Sequence, residues 1–441
     1  MTAPLSSGPA DPPDPAAPRR RRNPWWIPPF LGRVPPIEDR HLAILGIVSL
    51  GLFFENYDLS LLTSALKHIA EDLGIAQERL GFYLGAVRLG GLAAFLLLPL
   101  ADRLGRRRVF LVSVLGMSVF TLATALAQTP TQFVVFQIVT RAFLATLAAV
   151  GVVMLAEELP APHRGWGVGI LGALSASGHG AGALLFAAID VLPGGWRALY
   201  AIGAIPLLLL PMFRRRIAET ARFRRHQEQQ VDGPAAAPLR SLLALARANP
   251  GRAGLLGAAG MIQALGAISL FQFASLFVQE VHGWEPWRYA AMLMTSGAVG
   301  IIGNVVAGRL GDRIGRRRVG LLAFTIFPLA GITFYNGPGW ILPLAFVAVV
   351  FASSAGDVII RVFGTELFLT SQRGAAAAWL TLLQTVGWIL GLWVVGTGTF
   401  FGLELPAMVS LVAAALFLPG ILLTRLPETK QRELEETSGE A

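Results

Sequence analysis

Ala101-Asp102-Arg103-Leu104-Gly105-Arg106-Arg107-Arg108-Val109 and Gly311-Asp312-Arg313-Ile314-Gly315-Arg316-Arg317-Arg318-Val319 are one phrase written twice, with Asp102 and Asp312 210 residues apart. Two further phrases recur at nearly the same offset. Glu157…Arg164-Gly165 returns as Glu366…Arg373-Gly374, and Glu219-Thr220 returns as Glu428-Thr429, each 209 residues on. All three fall where a long apolar stretch ends. The glycine permits a tight turn between two helices, the arginines hold that turn in water, and the aspartate lies close enough to pair with them or to approach a helix N-terminus. Three motifs at one offset, each at an equivalent helix end, mark the chain as a duplication.

The composition says what was duplicated. Of 441 residues, 54% are apolar and 14% are charged, against about 25% charged in an ordinary soluble domain. Too little charge is present to cover two or three globular domains, which excludes a soluble protein. Apolar stretches lie near 42–66, 80–101, 108–127, 131–156, 165–189 and 196–213, then near 253–279, 287–308, 319–335, 340–365, 374–399 and 404–425. Most reach the roughly 20 residues of a bilayer-crossing helix. The expected fold is an all-α membrane protein of twelve transmembrane helices in two pseudo-symmetric six-helix bundles. The bundles occupy 42–213 and 253–425, joined by a cytoplasmic linker at 214–252 and flanked by tails at 1–41 and 426–441. The first tail is rich in proline and carries Arg19 to Arg22 with no apolar core behind them, so it reads as a disordered basic segment and not a signal peptide. Trp25 and Trp26 suit a membrane interface.

The net charge of +9 is a matter of orientation. Of the 36 basic residues, 29 fall in the tails and in the turns on one side of the bundle, whereas Lys67, Arg79, Arg197 and Arg288 fall on the other. The positive-inside rule therefore puts both termini in the cytoplasm. Lipid headgroups attract such charge, and nothing points to nucleic acid. With no cysteine, disulfides and thiol chemistry are ruled out. The six histidines show no ligand spacing and no nucleophile–base pair stands out, so no metal, cofactor or enzymatic activity is expected. The loop from Arg214 to Gly251 is too short to hold a signalling domain.

These residues resemble the major facilitator superfamily, in its sugar-porter-like branch. Gly308-Arg309-Leu310-Gly311-Asp312-Arg313-Ile314-Gly315-Arg316-Arg317 matches that family's Gly-x-x-x-Asp-Arg-x-Gly-Arg-Arg, and the first copy carries Leu98 or Pro99 where the leading glycine falls. Ala218-Glu219-Thr220-Ala221-Arg222-Phe223 is similar to the branch's Pro-Glu-Ser-Pro-Arg-Trp, and Pro427-Glu428-Thr429-Lys430 to its Pro-Glu-Thr-Lys. Glu366-Leu367-Phe368 with Arg373 is similar to its Glu-Leu-Phe-Pro-Thr-x-x-Arg. The resemblance spans about residues 42 to 436. It implies alternating access in a bacterial inner membrane by a monomer. Asp102, Glu157, Asp312 and Glu366 would latch a cytoplasmic gate through Arg106, Arg164, Arg316 and Arg373.

Ionisable groups at membrane depth are costly, so each is a candidate for function. Glu55, Asp58, Arg88, Arg141 and His179 all fall about 20–24 Å from the inner face by helix rise. Two acids, two arginines and one imidazole thus share a layer. Asp58 either holds Arg141 as a structural partner or exchanges a proton as the two separate, and Arg88 either neutralises Glu55 or binds substrate. His179, among Gly178, Gly180 and Gly182, is either packed or functional. Glu55-Asn56-Tyr57-Asp58 is similar to the Gly-Tyr-Asp of proton-coupled sugar porters and the Glu-Trp-Tyr-Asp of metabolite:proton symporters, and Arg141 falls at the family's span-four arginine. That likeness implies proton symport. The Gly-Pro signature of drug:proton antiporters is missing from 172–178, which disfavours efflux.

The second half offers Gln263, Gln272, Gln384, Trp388 and Asp357 as candidate substrate contacts. Asp357 and Arg361 are four apart and read equally as an intrahelical pair. Gln384 and Trp388 form a hydrogen-bonding and stacking pair or pack as structure. Sugar porters read Gln-Gln-x-x-Gly-x-Asn in span seven, where this chain has Ile262 and Ile268 in place of one Gln and the Asn. The expected substrate is therefore a small organic solute, foremost a carboxylate imported with protons. A sugar or polyol symporter or facilitator stands second, and an efflux antiporter third.

Overall fold

The computed structural model describes residues 24, 26–27, 34–217, 219 and 238–430, with the side chains of Asp102, Ala161, residues 238–241 and Thr370 left out. Among the described residues, twelve helices are long and apolar enough to cross a membrane. They are Asp39–Ser64, Gln77–Leu104, Arg106–Ala125, Pro130–Glu158, Arg164–Phe186 and Trp196–Arg216 in the first half. Pro250–Glu280, Pro286–Ile314, Arg316–Asn336, Leu342–Glu366, Arg373–Phe400 and Leu405–Thr424 form the second. Called spans one to twelve, they follow the expected stretches closely. The two repeated arginine turns are tighter than expected, each reduced to a single glycine between helices. Gly105 and Gly315 take φ of 99° and 103°, a conformation that a Cβ would strain.

The third repeated phrase explains what holds those turns. Glu428 accepts from the backbone N–H of Arg316 and of Arg317 at 2.9 and 3.1 Å. Glu219 accepts from the N–H of Arg107 at 3.2 Å. Each carboxylate thus sits on the N-terminus of span nine or span three, where the first N–H groups lack partners inside the helix and the dipole favours negative charge. The arginine side chains complete the clasp, since Arg107 donates to the carbonyls of Ile217 and Arg214, and Arg317 to that of Thr424.

Packing repeats as faithfully as sequence. Spans one and five lie against each other, as do seven and eleven, and glycines set both approaches. A Cβ on Gly178 would fall 2.0 Å from the Phe53 carbonyl oxygen, and one on Gly387 would fall 2.2 Å from that of Met261. One turn further, Gly182 faces Ser60 and the Tyr57 carbonyl, and Gly391 faces the Leu265 carbonyl. Hydrocarbon supplies no hydrophobic drive between helices, so close backbone approach through small residues is how such pairs bind.

Several spans are interrupted along their length. Span one ends at Ser64 and continues as the short helix Leu66–Asp72. Span seven breaks at Phe273 into Pro250–Gln272 and Ala274–Glu280. Span six breaks before Pro206, whose missing N–H cannot continue the ladder. The segment 214–252, expected as polar, contains a helix at Pro238–Ala248. Leu242 and Leu245, three apart and so on one face, are buried, and the helix packs on spans seven and eleven. Trp26 lies against Gly46 of span one. Trp25 and most of the expected tails fall outside the described residues.

Candidate functional site

A cavity of about 690 Å³ lies between the two halves. Span one brings two carboxylates toward it from different angles. Glu55 lines the cavity wall, whereas Asp58, three residues on, turns behind it and is 2% exposed. Asp58 pairs with Arg141 of span four, Oδ2 to Nη2, at 3.3 Å. Its Oδ1 and the Arg141 Nε are buried without a hydrogen-bond partner. Arg141 itself reaches the cavity. Its span is drawn in close by Gly90, where a Cβ would meet the Ile138 carbonyl at 2.1 Å.

Arg88 of span two also lines the cavity, but no described carboxylate pairs with it. Of the two readings open for Arg88, neutralising Glu55 or binding substrate, the first has no ion pair behind it among the described residues. Nη2 of Arg88 donates to Oε1 of Gln272 at 3.1 Å, its guanidinium lies 5.9 Å from the centroid of the Trp388 ring, and its Nε is buried without a partner. Gln272 in turn donates to the Leu62 carbonyl at 3.0 Å. His179 lines the cavity beside the backbone of Asn56, and its carbonyl accepts from the Ser60 hydroxyl at 3.0 Å.

The opposite wall is aromatic. Phe271, Tyr289 and Phe346 face the cavity with Trp388. Sequence reasoning missed the first three, because every span is apolar on all sides and an aromatic facing lipid reads like one facing a cavity. Two other amides of the second half are used elsewhere. Gln384 does not join Trp388 but donates to Gln263 at 3.1 Å, tying span eleven to span seven away from the cavity. Asp357 pairs with Arg361 at 2.6 Å on its own helix and stands apart from the cavity lining. Of the expected substrate contacts, Arg88, His179 and Trp388 line the cavity, Gln272 reaches it only through Arg88, and Gln263, Gln384 and Asp357 do not line it.

The halves are sealed away from the arginine turns. Besides Arg88–Gln272 and Gln272–Leu62, the Ser275 hydroxyl donates to the Ser64 carbonyl at 2.6 Å and the Trp393 indole to the Phe82 carbonyl at 3.3 Å. Backbones nearly touch at Gly81, where a Cβ would fall 2.5 Å from Gly396. From this seal the cavity runs past Leu98, Ala149 and Ala378 toward the arginine-rich face. The residues expected at a gate lie there. Arg106 pairs with Glu157 at 3.3 Å, and Arg316 with Glu366 at 3.0 Å and Asp312 at 2.7 Å. Each of these pairs joins helices of one half. Arg164 and Arg373 form no ion pair with a described carboxylate, and the side chain of Asp102 lies outside the described residues.

The model of the Major Facilitator Superfamily matches residues 48–391 and again 290–440. A gallate transporter of Pseudomonas putida is 25% identical over 409 residues, which cover 87% of this chain and 91% of that one. A cis,cis-muconate transport protein of Acinetobacter baylyi is 25% identical over 401 residues, covering 88% and 94%. Among solved structures, the inward open conformation of the xylose transporter XylE from E. coli is similar with a TM-score of 0.71 at 17% identity, covering 90% of this chain and 99% of that one.

Proposed function

The chain belongs to the Major Facilitator Superfamily, and we propose that it imports a small aromatic or unsaturated carboxylate together with protons. One observation carries this reading: Arg88, buried at membrane depth, faces an aromatic-walled cavity and forms no ion pair with a described carboxylate. A guanidinium fork is suited to hold a substrate carboxylate in bidentate fashion. The apolar body of such an acid packs on Trp388, Phe271 and Phe346, and the cavity volume lies in the range of small-molecule sites. Gallate and cis,cis-muconate, the solutes of the two relatives, are an aromatic and an unsaturated acid. A sugar is less well served, because Gln263 and Gln384 bond each other.

The arginine-rich face is the cytoplasmic one, in a bacterial inner membrane, with both termini there. The two bodies 42–213 and 253–425 rock about the cavity, and the seal between Leu62, Ser64, Gln272 and Ser275 closes the outer side. Proton coupling resides in Glu55, Asp58 and Arg141. Arg141 compensates the charged form of Asp58, and movement that separates them favours protonation over an unpaired buried charge. Arg106–Glu157 and Arg316–Glu366 keep each half rigid at its cytoplasmic end as the gate opens.

The test is uptake into proteoliposomes. Labelled benzoate, gallate and cis,cis-muconate should accumulate under an imposed inward proton gradient, and a labelled hexose should not. Asp58→Asn should retain counterflow exchange and lose uphill accumulation. Accumulation of the hexose in place of the acids, or full pumping by Asp58→Asn, contradicts the proposal.

A further inference from the structure

Gln272 does two things at once. Its amide nitrogen is tied to the Leu62 carbonyl, which fixes which way the amide points and turns its oxygen onto Arg88. The first contact belongs to the outer seal, between span seven and span one. The second occupies a donor of the arginine to which the substrate acid is assigned. Opening the outer side must part Leu62 from Gln272, and with it Gln272 from Arg88. Gln272 is itself 0% exposed, so no water replaces it while the seal is shut.

We propose that Gln272 is a release element, a positioning residue whose amide oxygen competes with the substrate carboxylate for Arg88 when the outer side closes. The proposal rests on the carboxylate reading of the cavity. With the outer side open, the guanidinium is free of Gln272 and holds the acid with its full charge. With the outer side shut, part of that capacity is spent on the amide, and the acid leaves toward the arginine-rich face. By linkage, a ligand that loses affinity on closure also disfavours closure by the same factor. The device gives an importer tighter binding where it loads and weaker binding where it unloads, without any residue moving into the cavity from the gate side.

The test compares acids with their amides in the purified full chain. Dissociation constants are measured by calorimetry for benzoate, gallate and cis,cis-muconate, and for benzamide, in the unchanged protein, Gln272→Leu and Gln272→Glu. A hydrogen bond to a charged group corresponds to a factor of about ten or more in an equilibrium constant. Gln272→Leu should therefore bind the acids about tenfold tighter and leave benzamide unchanged. Gln272→Glu, which gives Arg88 a permanent partner, should bind the acids at least about tenfold more weakly. Uptake by Gln272→Leu should slow as release becomes limiting. Acids that bind the unchanged protein but respond to neither substitution, or to both in the same direction, overturn the release role alone. Acids that bind no better than benzamide in any form overturn the carboxylate reading and the release role with it. A Gln272→Leu protein that fails to fold leaves the Gln272→Glu comparison to decide, and an unchanged affinity there overturns the proposal.

Discussion

Removing Arg141 should cost more than removing both members of its pair. Asp58 is 2% exposed, its Oδ1 has no hydrogen bond, and its Oδ2 has Arg141 at 3.3 Å. Arg141→Met thus removes the one ion-pair partner that a buried carboxylate has among the described residues. At 3.3 Å two unit charges attract by about 5 kcal/mol at an effective dielectric constant of about 20. Breaking a buried pair from one side costs about 3–5 kcal/mol, whereas replacing both partners with neutral groups is often nearly neutral. The measurement is a double-mutant cycle of thermal unfolding in detergent with Arg141→Met, Asp58→Asn and the two together. Arg141→Met should unfold well below the parent, and adding Asp58→Asn should recover most of the loss, for a coupling of about 3 kcal/mol or more. Additive losses would mean that Asp58 does not depend on Arg141 for its charge, and that the two are not coupled as a buried pair.

Other consequences are as specific. Gly178→Ala should destabilise by about 1–3 kcal/mol through its clash with the Phe53 carbonyl, while Gly172→Ala on the same helix, with nothing within 4 Å of its Cβ, should be neutral or stabilising by up to about 1 kcal/mol; thermal unfolding of the two proteins decides it. Glu428→Ala removes the acceptor for two backbone N–H groups of span nine and should cost about 1–2 kcal/mol, read in the same way. Asp357→Asn should leave the affinity for acids unchanged within about twofold, since Asp357 pairs with Arg361 outside the cavity lining; a large loss in a direct binding measurement would return it to the site.

The fold was legible because its signals are one-dimensional. Spans are runs of apolar residues, sidedness is a bias in arginine, and the duplication is an offset. The charged layer was partly legible for the same reason, since helix rise converts residue number into depth. Rotation about the helix axis is what depth leaves out. Glu55 and Asp58 share a depth, yet one lines the cavity and the other is buried behind it. In a soluble helix an apolar stripe would reveal the inward face, but a membrane span is apolar toward lipid and neighbour alike, so Phe271, Tyr289 and Phe346 carried no mark. Gln272 was named as a contact for its polarity. Its bond to Arg88 depends on how the two halves meet, which no local pattern encodes. The amphipathic helix Pro238–Ala248 was hidden by the prolines and charges around it.

Whether Arg88 holds the carboxylate of the transported acid is decided by a structure solved with gallate or cis,cis-muconate bound. A carboxylate oxygen should lie about 2.7–2.9 Å from the Arg88 guanidinium, with the body of the acid against Trp388 and Phe271. An acid anchored elsewhere in the cavity, with Arg88 still bonded only to Gln272, would contradict it.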